Sequence, residues 1–163
     1  FNFSRSGKKL TSINDFFYPL DKINNWNYVY GKKGFISYQC SVPFNNAYKS
    51  IYEILNTIKR YKAYSFISVL KSMKKKDFPL SFGQNGFTLV FDFPNYKDIT
   101  KILGKVDDIV LKYNGKIYLA KDSIISKKKF RNLNSEFYNP ELISLRKKNN
   151  YFFNSIQSKR LGL

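Results

Sequence analysis

Strand-like and helix-like segments alternate along this chain in the order β-α-β-β-α-β. Alternating or apolar strand patterns cover 35–42, 65–71, 87–93 and 116–120, and apolar residues at helical spacing mark 47–61 and 99–113. This order is typical of the ferredoxin-like split βαβ arrangement, in which both helices cover one face of a four-stranded antiparallel sheet. The sequence therefore predicts an α+β fold with an open second sheet face. One more helix is predicted to begin at Pro140, with Asn139 as its cap.

Residues 35–163 are predicted to form the sheet domain, and residues 1–34 an irregular, aromatic-rich lead-in to it. The chain has 163 residues, 43% of them hydrophobic, which suffices for one domain with a core. No apolar run approaches the roughly 18 residues of a membrane span, and residues 1–10 lack the pattern of a secretory signal. The expected location is therefore cytoplasmic, with peripheral contact at the inner membrane as an alternative. Because the chain does not begin with methionine, we expect a piece of a longer protein.

Charge and rare residue types narrow the classes of function. The formal net charge is +18, from 29 basic and 11 acidic residues. This excess fits a partner such as nucleic acid, an anionic membrane or a phosphorylated ligand. The favoured reading is a solvated surface rich in residues with AT-rich codons, because basic content alone is a weak signal. The single cysteine, Cys40, excludes an internal disulfide and a cysteine metal cage. The absence of histidine excludes Ser-His triads and histidine-ligated metals, so no metal site is predicted.

Polar residues interrupt the predicted strands at positions that share one face. If Tyr38 and Cys40 face the helices, strand alternation turns Ser37 and Gln39 to the open face. The same alternation adds three residues from the second and third strands: Lys71, Thr88 and Val90. A face that is partly apolar and partly hydrogen-bonding is typical of the wall of a small-molecule pocket. A solvated face, or an interface with another domain, is the alternative.

A second class of function is a basic ferredoxin-like module that binds RNA or an anionic lipid surface. RNA-recognition domains carry a Lys/Arg-Gly-aromatic consensus on the third strand. The nearest match here, Lys33-Gly34-Phe35, lies on the first strand, and alternation turns Phe91 and Phe93 inward. Nucleic acid is therefore the less favoured partner. A structural remnant with neither function is a third reading of the sequence.

Short motifs spread from Phe16 to Leu163 carry a family resemblance. They are FFYPLD (16–21), W-N-x-x-Y-G (26–31), YQ-x-x-VP (38–43), SF-x-x-VLK (65–71), PLSF (79–82), DFP (92–94), YLAKDS (118–123) and RLGL (160–163). In order and spacing they resemble the C-terminal part of FAD-linked oxidases of the decaprenylphosphoryl-ribose oxidase type. Those enzymes are grouped with the aldonolactone oxidases in the vanillyl-alcohol-oxidase superfamily.

The resemblance implies a C-terminal cap domain of an enzyme whose N-terminal FAD-binding domain is not in this chain. That domain would be the main partner, FAD the cofactor, and the isolated chain inactive. The implied reaction is oxidation of a sugar CH–OH group by hydride transfer to the flavin. Lys121 matches the family's lysine near flavin and substrate, where a cation stabilises developing negative charge, and Tyr118 matches a tyrosine that approaches the flavin. Gln39 and Lys71 match pocket residues, and Tyr18 is a weaker candidate for a substrate-side lid.

Departures from the family pattern concern the substrate more than the chemistry. Ser37 replaces a second glutamine in what is usually Q-Y-Q, Thr88 stands where asparagine is frequent, and Phe87 replaces a tryptophan. A polyprenylphosphoryl-ribose-like substrate and an aldonolactone-like substrate both stay open.

Overall fold

The computed structural model describes residues 7, 10–75, 81–133 and 140–163. The chain falls into two compact units, Phe1–Gly34 and Phe35–Leu163. The first unit contains α1 (Ile13–Phe17) and two 3-10 helices, Pro19–Lys22 and Trp26–Tyr30. Helix α1 begins where the side chain of Ser12 accepts a hydrogen bond from the backbone N–H of Asp15. This region, predicted to be irregular, is thus built from short helical segments.

The second unit contains the predicted four-stranded antiparallel sheet. Its strands are β1 (Phe35–Pro43), β2 (Ile67–Met73), β3 (Gly86–Pro94) and β4 (Lys116–Ile117), in the spatial order β2-β3-β1-β4. The two crossover helices are α2 (Ala47–Arg60) and α3 (Ile99–Lys112). The α+β class and the antiparallel sheet are confirmed, and the strand order is compatible with a split βαβ topology.

One face of the sheet packs against both helices. The core joins alternate residues of the central strands to the apolar stripes of the helices: Tyr38, Cys40, Val42, Leu89, Phe91, Phe93, Ile54, Ile58, Ile99, Leu103, Val106 and Val110. Cys40 is fully buried, and burial raises the pKa of its thiol to about 12, so this cysteine is chemically inert. Phe91 and Phe93 point inward as predicted, which removes them from the open face on which an RNA-recognition sheet stacks bases.

Strands β1 and β3 exceed their predicted bounds by one residue at one or both ends, and β2 and β4 differ by more. Strand β2 begins at Ile67 instead of Ser65 and continues to Met73. Strand β4 ends at Ile117 instead of Ala120, because the chain then turns back on itself. The N–H of Lys121 donates to the carbonyl of Tyr118 (3.0 Å), and the N–H of Asp122 to that of Leu119 (3.2 Å). The turn is held by contacts from the C-terminus, which a local strand pattern does not reveal.

Among the residues described after the sheet, the chain forms α4 (Lys127–Leu133), α5 (Pro140–Lys148) and α6 (Ile156–Leu161). Helix α5 begins at Pro140 as predicted, and its predicted cap Asn139 lies outside the described residues. Helices α4 and α6 were not predicted, since each is short; α6 is stabilised by a capping box between Ser155 and Ser158. Within the described ranges, no helix is long and apolar enough to cross a bilayer.

Candidate functional site

The strand register places five of the predicted site residues on the open face of the sheet. Residues paired directly across strands lie on the same face. Three such rows cross β1, β3 and β2: Ser37–Asp92–Ile67, Gln39–Val90–Val69 and Ser41–Thr88–Lys71. Tyr38 and Cys40, which alternate with these residues along β1, face the helices. The face shared by these residues is mixed: Gln39 lies beside two valines in the middle row, and both outer rows carry polar residues.

A hydrogen-bond chain at the centre of this face fixes the side chain of Gln39. The amide Nε2 of Gln39 donates to Thr88 Oγ1 (3.1 Å), and the Thr88 hydroxyl donates to the carbonyl of Cys40 (3.0 Å). Thr88 is only 3% exposed, whereas Gln39 is half-buried. Thr88 was predicted to contact substrate, but its hydroxyl is engaged in these two hydrogen bonds and orients Gln39. Gln39 is the member of the pair that a ligand can reach.

Two further polar contacts flank this centre. Ser37 donates to Asp92 Oδ1 (2.7 Å) in its own row. Gln84, from the segment before β3, donates to the hydroxyl of Ser41 (2.9 Å), which is fully buried. The hydroxyl of Ser37 is therefore engaged, and a ligand would compete with Asp92 for it. Val90, 8% exposed, contributes apolar contact area beneath these polar groups.

Tyr118 joins the same surface at the edge beyond β1. Its N–H donates to the carbonyl of Gln39 (2.9 Å), which continues the β1–β4 pairing past the end of β4. Its ring packs on Phe82, with the ring centroids 4.9 Å apart. The turn that follows carries Lys121, which is half-buried. The family-matched tyrosine and lysine therefore lie directly after the strand edge that borders Gln39.

Helix α6 holds this turn in place. The side-chain amide of Gln157 donates to the carbonyls of Leu119 (2.7 Å) and Asp122 (3.1 Å), so it bridges both ends of the turn. Asp122, whose side chain is 2% exposed, pairs with Arg160 Nη2 at 2.7 Å. Its other oxygen accepts the N–H groups of Ile124 (3.0 Å) and Ile125 (2.8 Å). The backbone on either side of Lys121 is therefore fixed.

Sequence reasoning did not identify Asp122, Gln157 and Arg160 as part of this site. A signal was present, because Asp122 lies in YLAKDS and Arg160 opens RLGL, two motifs of the same family pattern that carry oppositely charged residues. Only the fold shows that these two distant motifs form an ion pair.

Arg160→Leu is expected to destabilise the chain by about 2 kcal/mol, because it leaves the buried Asp122 carboxylate without its cation. The measurement is the free energy of unfolding from urea denaturation. Lys159→Leu, on the same helix but exposed, serves as the matched control and should change stability by no more than about 0.5 kcal/mol. Equal losses in the two variants would show that the pair does not hold the turn.

Tyr18, the remaining predicted residue, belongs to the first unit. It follows α1, its N–H donates to the carbonyl of Asn14 (2.8 Å), and its side chain is exposed. Its role at a substrate-side lid stays a prediction.

The predicted site residues offer positive charge, an oriented amide and apolar area. Within the part of the chain that the structure describes, neither Lys71 nor Lys121 pairs with a carboxylate. Both cations are thus available to negative charge on a ligand, Gln39 offers an oriented amide, and Val69 and Val90 offer apolar area. The described residues contain no cluster of three or more potential metal ligands. This donor set fits an organic cofactor or substrate that is held from one side.

The α+β fold leaves one sheet face free of its two crossover helices, and comparison with known proteins relates the chain to the FAD-linked oxidases. Over 116 residues it is 35% identical to decaprenylphosphoryl-beta-D-ribose oxidase of Mycolicibacterium smegmatis, a match that covers 71% of this chain. The chain spans about a quarter (25%) of the length of that oxidase. No family model matches the chain. The resemblance indicated by the sequence motifs is confirmed.

Proposed function

We propose that this chain forms the substrate-side part of an FAD-dependent oxidoreductase that oxidises a CH–OH group of a sugar. The observation that carries the proposal is the 35% identity to an oxidase whose name states a ribose substrate. The predicted site residues support it, since they combine lysines that have no carboxylate partner among the described residues, an oriented amide and apolar contact area.

Each residue of the face has a role in this proposal. FAD, when bound, supplies the acceptor for the hydride that leaves the sugar carbon. Lys121 provides a cation where negative charge develops, and Tyr118 contacts the cofactor beside it. Gln39, Lys71, Ser37 and Val90 bind and orient the substrate. Thr88 acts through Gln39, because its own hydroxyl is buried and engaged.

The exposed position of Lys71 favours one of the two substrate classes. Lys71 is the third member of its row, next to Thr88, and its ammonium is accessible to solvent. A polyprenylphosphoryl sugar carries a phosphate that such an ammonium binds well, whereas an uncharged aldonolactone makes no use of it. We therefore favour the polyprenylphosphoryl-ribose-like substrate over the aldonolactone-like one.

The proposed partner is an FAD-binding domain, without which the chain has no activity. A chimera tests this directly: this chain replaces the aligned segment of the Mycolicibacterium smegmatis oxidase. We expect the chimera to bind FAD and to show bleaching of the flavin spectrum when decaprenylphosphoryl-ribose is added without oxygen. A chimera that binds FAD but stays oxidised with both the polyprenylphosphoryl sugar and an aldonolactone would contradict the proposed activity.

A further inference from the structure

Two adjacent phenylalanines protrude from the turn that follows α5. Phe152 is 82% exposed and Phe153 is 74% exposed, and their rings meet edge to face with centroids 5.4 Å apart. Leu145 and Ile156 on either side are also exposed. Large apolar side chains that cluster on a surface mark a contact site more often than single exposed residues do.

Hydrogen bonds to the last residues of α5 and to the turn itself hold the two phenylalanines in this exposed position. The N–H of Tyr151 donates to the carbonyl of Arg146 (2.9 Å), and the N–H of Phe152 to that of Asn149 (2.9 Å). The guanidinium of Arg146 lies 5.8 Å from the centre of the Tyr151 ring and donates to Asn154 Oδ1 (2.9 Å). The two phenylalanines are therefore presented by a hydrogen-bonded turn.

The surroundings of the turn are strongly basic. Residues 144–163 contain five basic residues and no acidic one. Arg146, Lys147 and Lys148 form the last turn of α5, immediately before the aromatic turn. Arg146 lines the same surface as the two phenylalanines, and the exposed Lys147 and Lys148 follow it in the chain. Basic groups and protruding apolar rings match the two components of an anionic bilayer surface, its headgroups and its acyl boundary.

We propose that this surface, formed by Lys147, Lys148, Phe152 and Phe153, binds anionic membranes. The phenylalanine rings enter the interface between headgroups and acyl chains, and the lysines bind lipid phosphates. Another exposed aromatic pair, Tyr48 and Tyr52 on α2, is different: its rings are stacked on each other, and the adjacent Glu53 is ion-paired with Lys112. No run of basic residues precedes this pair, so it offers a matched aromatic surface without the same charge.

Membrane contact would bring the domain to a substrate that carries a polyprenyl chain. Only this link between the membrane and the substrate rests on the proposed function. The surface itself is argued from exposure and charge, without reference to flavin or sugar. A vesicle-binding experiment on the chain alone therefore separates the two proposals, because its failure says nothing about oxidation.

The test is flotation of the chain with phosphatidylcholine vesicles that contain about a third phosphatidylglycerol. We expect binding to these vesicles, little binding to pure phosphatidylcholine, and a fall of about tenfold or more in the partition coefficient for the double variant Phe152→Ser/Phe153→Ser. Tyr48→Ser/Tyr52→Ser is the control and should bind as the parent chain does. Circular dichroism checks that both variants are folded.

Several results would overturn the proposal. One is the absence of binding to anionic vesicles; another is unchanged binding by the phenylalanine variant, which would assign attraction to the net charge alone. An equal loss in the tyrosine control would also contradict it. If light scattering shows a dimer that the phenylalanine variant abolishes while no vesicles are bound, the surface instead joins two copies of the chain.

Discussion

Lys121→Met is expected to slow flavin reduction about a hundredfold in the chimeric oxidase, as loss of one preorganised electrostatic contact does in other enzymes. Lys121 lies in a turn whose ends are bridged by Gln157, so its backbone is fixed before substrate arrives. Because the residue is half-buried and its ammonium has no carboxylate partner among the described residues, its charge is available to the site. The measurement is the limiting rate of flavin reduction in anaerobic stopped-flow experiments.

Two comparison variants separate charge from structure. Lys121→Arg keeps the cation and should retain most of the rate, while Lys128→Met removes an exposed lysine on α4 and should leave the rate unchanged. FAD affinity should change less than the rate does in Lys121→Met, since the charge is needed mainly as the reaction proceeds. An unchanged rate in Lys121→Met would remove Lys121 from the mechanism.

The sequence alone predicted which side chains share the open face, because one face of the sheet is buried. A shift of one residue in β1 would move Tyr38 and Cys40 out of the core, so their apolar character determines where Gln39 points. The same reasoning placed Lys71, Thr88 and Val90 correctly on that face. Periodicity is informative here because the helices cover only the other side.

Periodicity could not predict what each side chain does on that face. Thr88 is buried, and its hydroxyl bonds the carbonyl of Cys40 on the neighbouring strand, a contact between residues 48 positions apart. The turn after β4 likewise contains Asp122, which pairs with Arg160 across 38 positions. Such contacts are decided by tertiary packing, and so is the existence of short helices such as α6, which local sequence hardly stabilises.

The second large effect concerns a carboxylate in the core. Asp107 on α3 is 2% exposed, and Tyr38 donates a hydrogen bond to its Oδ1 (2.9 Å). Burial raises the pKa of Asp107 from 3.8 to about 7; the hydrogen bond from Tyr38 and the charge of Lys129 oppose the rise, and the charges of Asp122 and Asp108 add to it. Burial also raises the pKa of Tyr38 well above its usual value, so the tyrosine stays a donor.

This raised pKa makes stability fall as pH rises. In the folded chain Asp107 holds its proton up to about pH 7, whereas in the unfolded chain it loses the proton near pH 4. The contribution of Asp107 to stability is therefore complete below about pH 4 and declines between about pH 4 and pH 7. A shift of this size corresponds to about 4 kcal/mol, an order-of-magnitude figure.

Asp107→Asn should therefore be more stable than the parent chain at pH 8, by on the order of 3 kcal/mol, because asparagine stays neutral and still accepts the Tyr38 hydrogen bond. The advantage should shrink toward pH 4, where the parent aspartic acid is also neutral. Urea denaturation at a series of pH values measures both effects. Asp98→Asn, at an exposed carboxylate, is the control and should change stability by at most about 0.5 kcal/mol. A less stable Asp107→Asn variant at pH 8 would mean that the core stabilises the charged carboxylate, and that Lys129 outweighs the cost of burial.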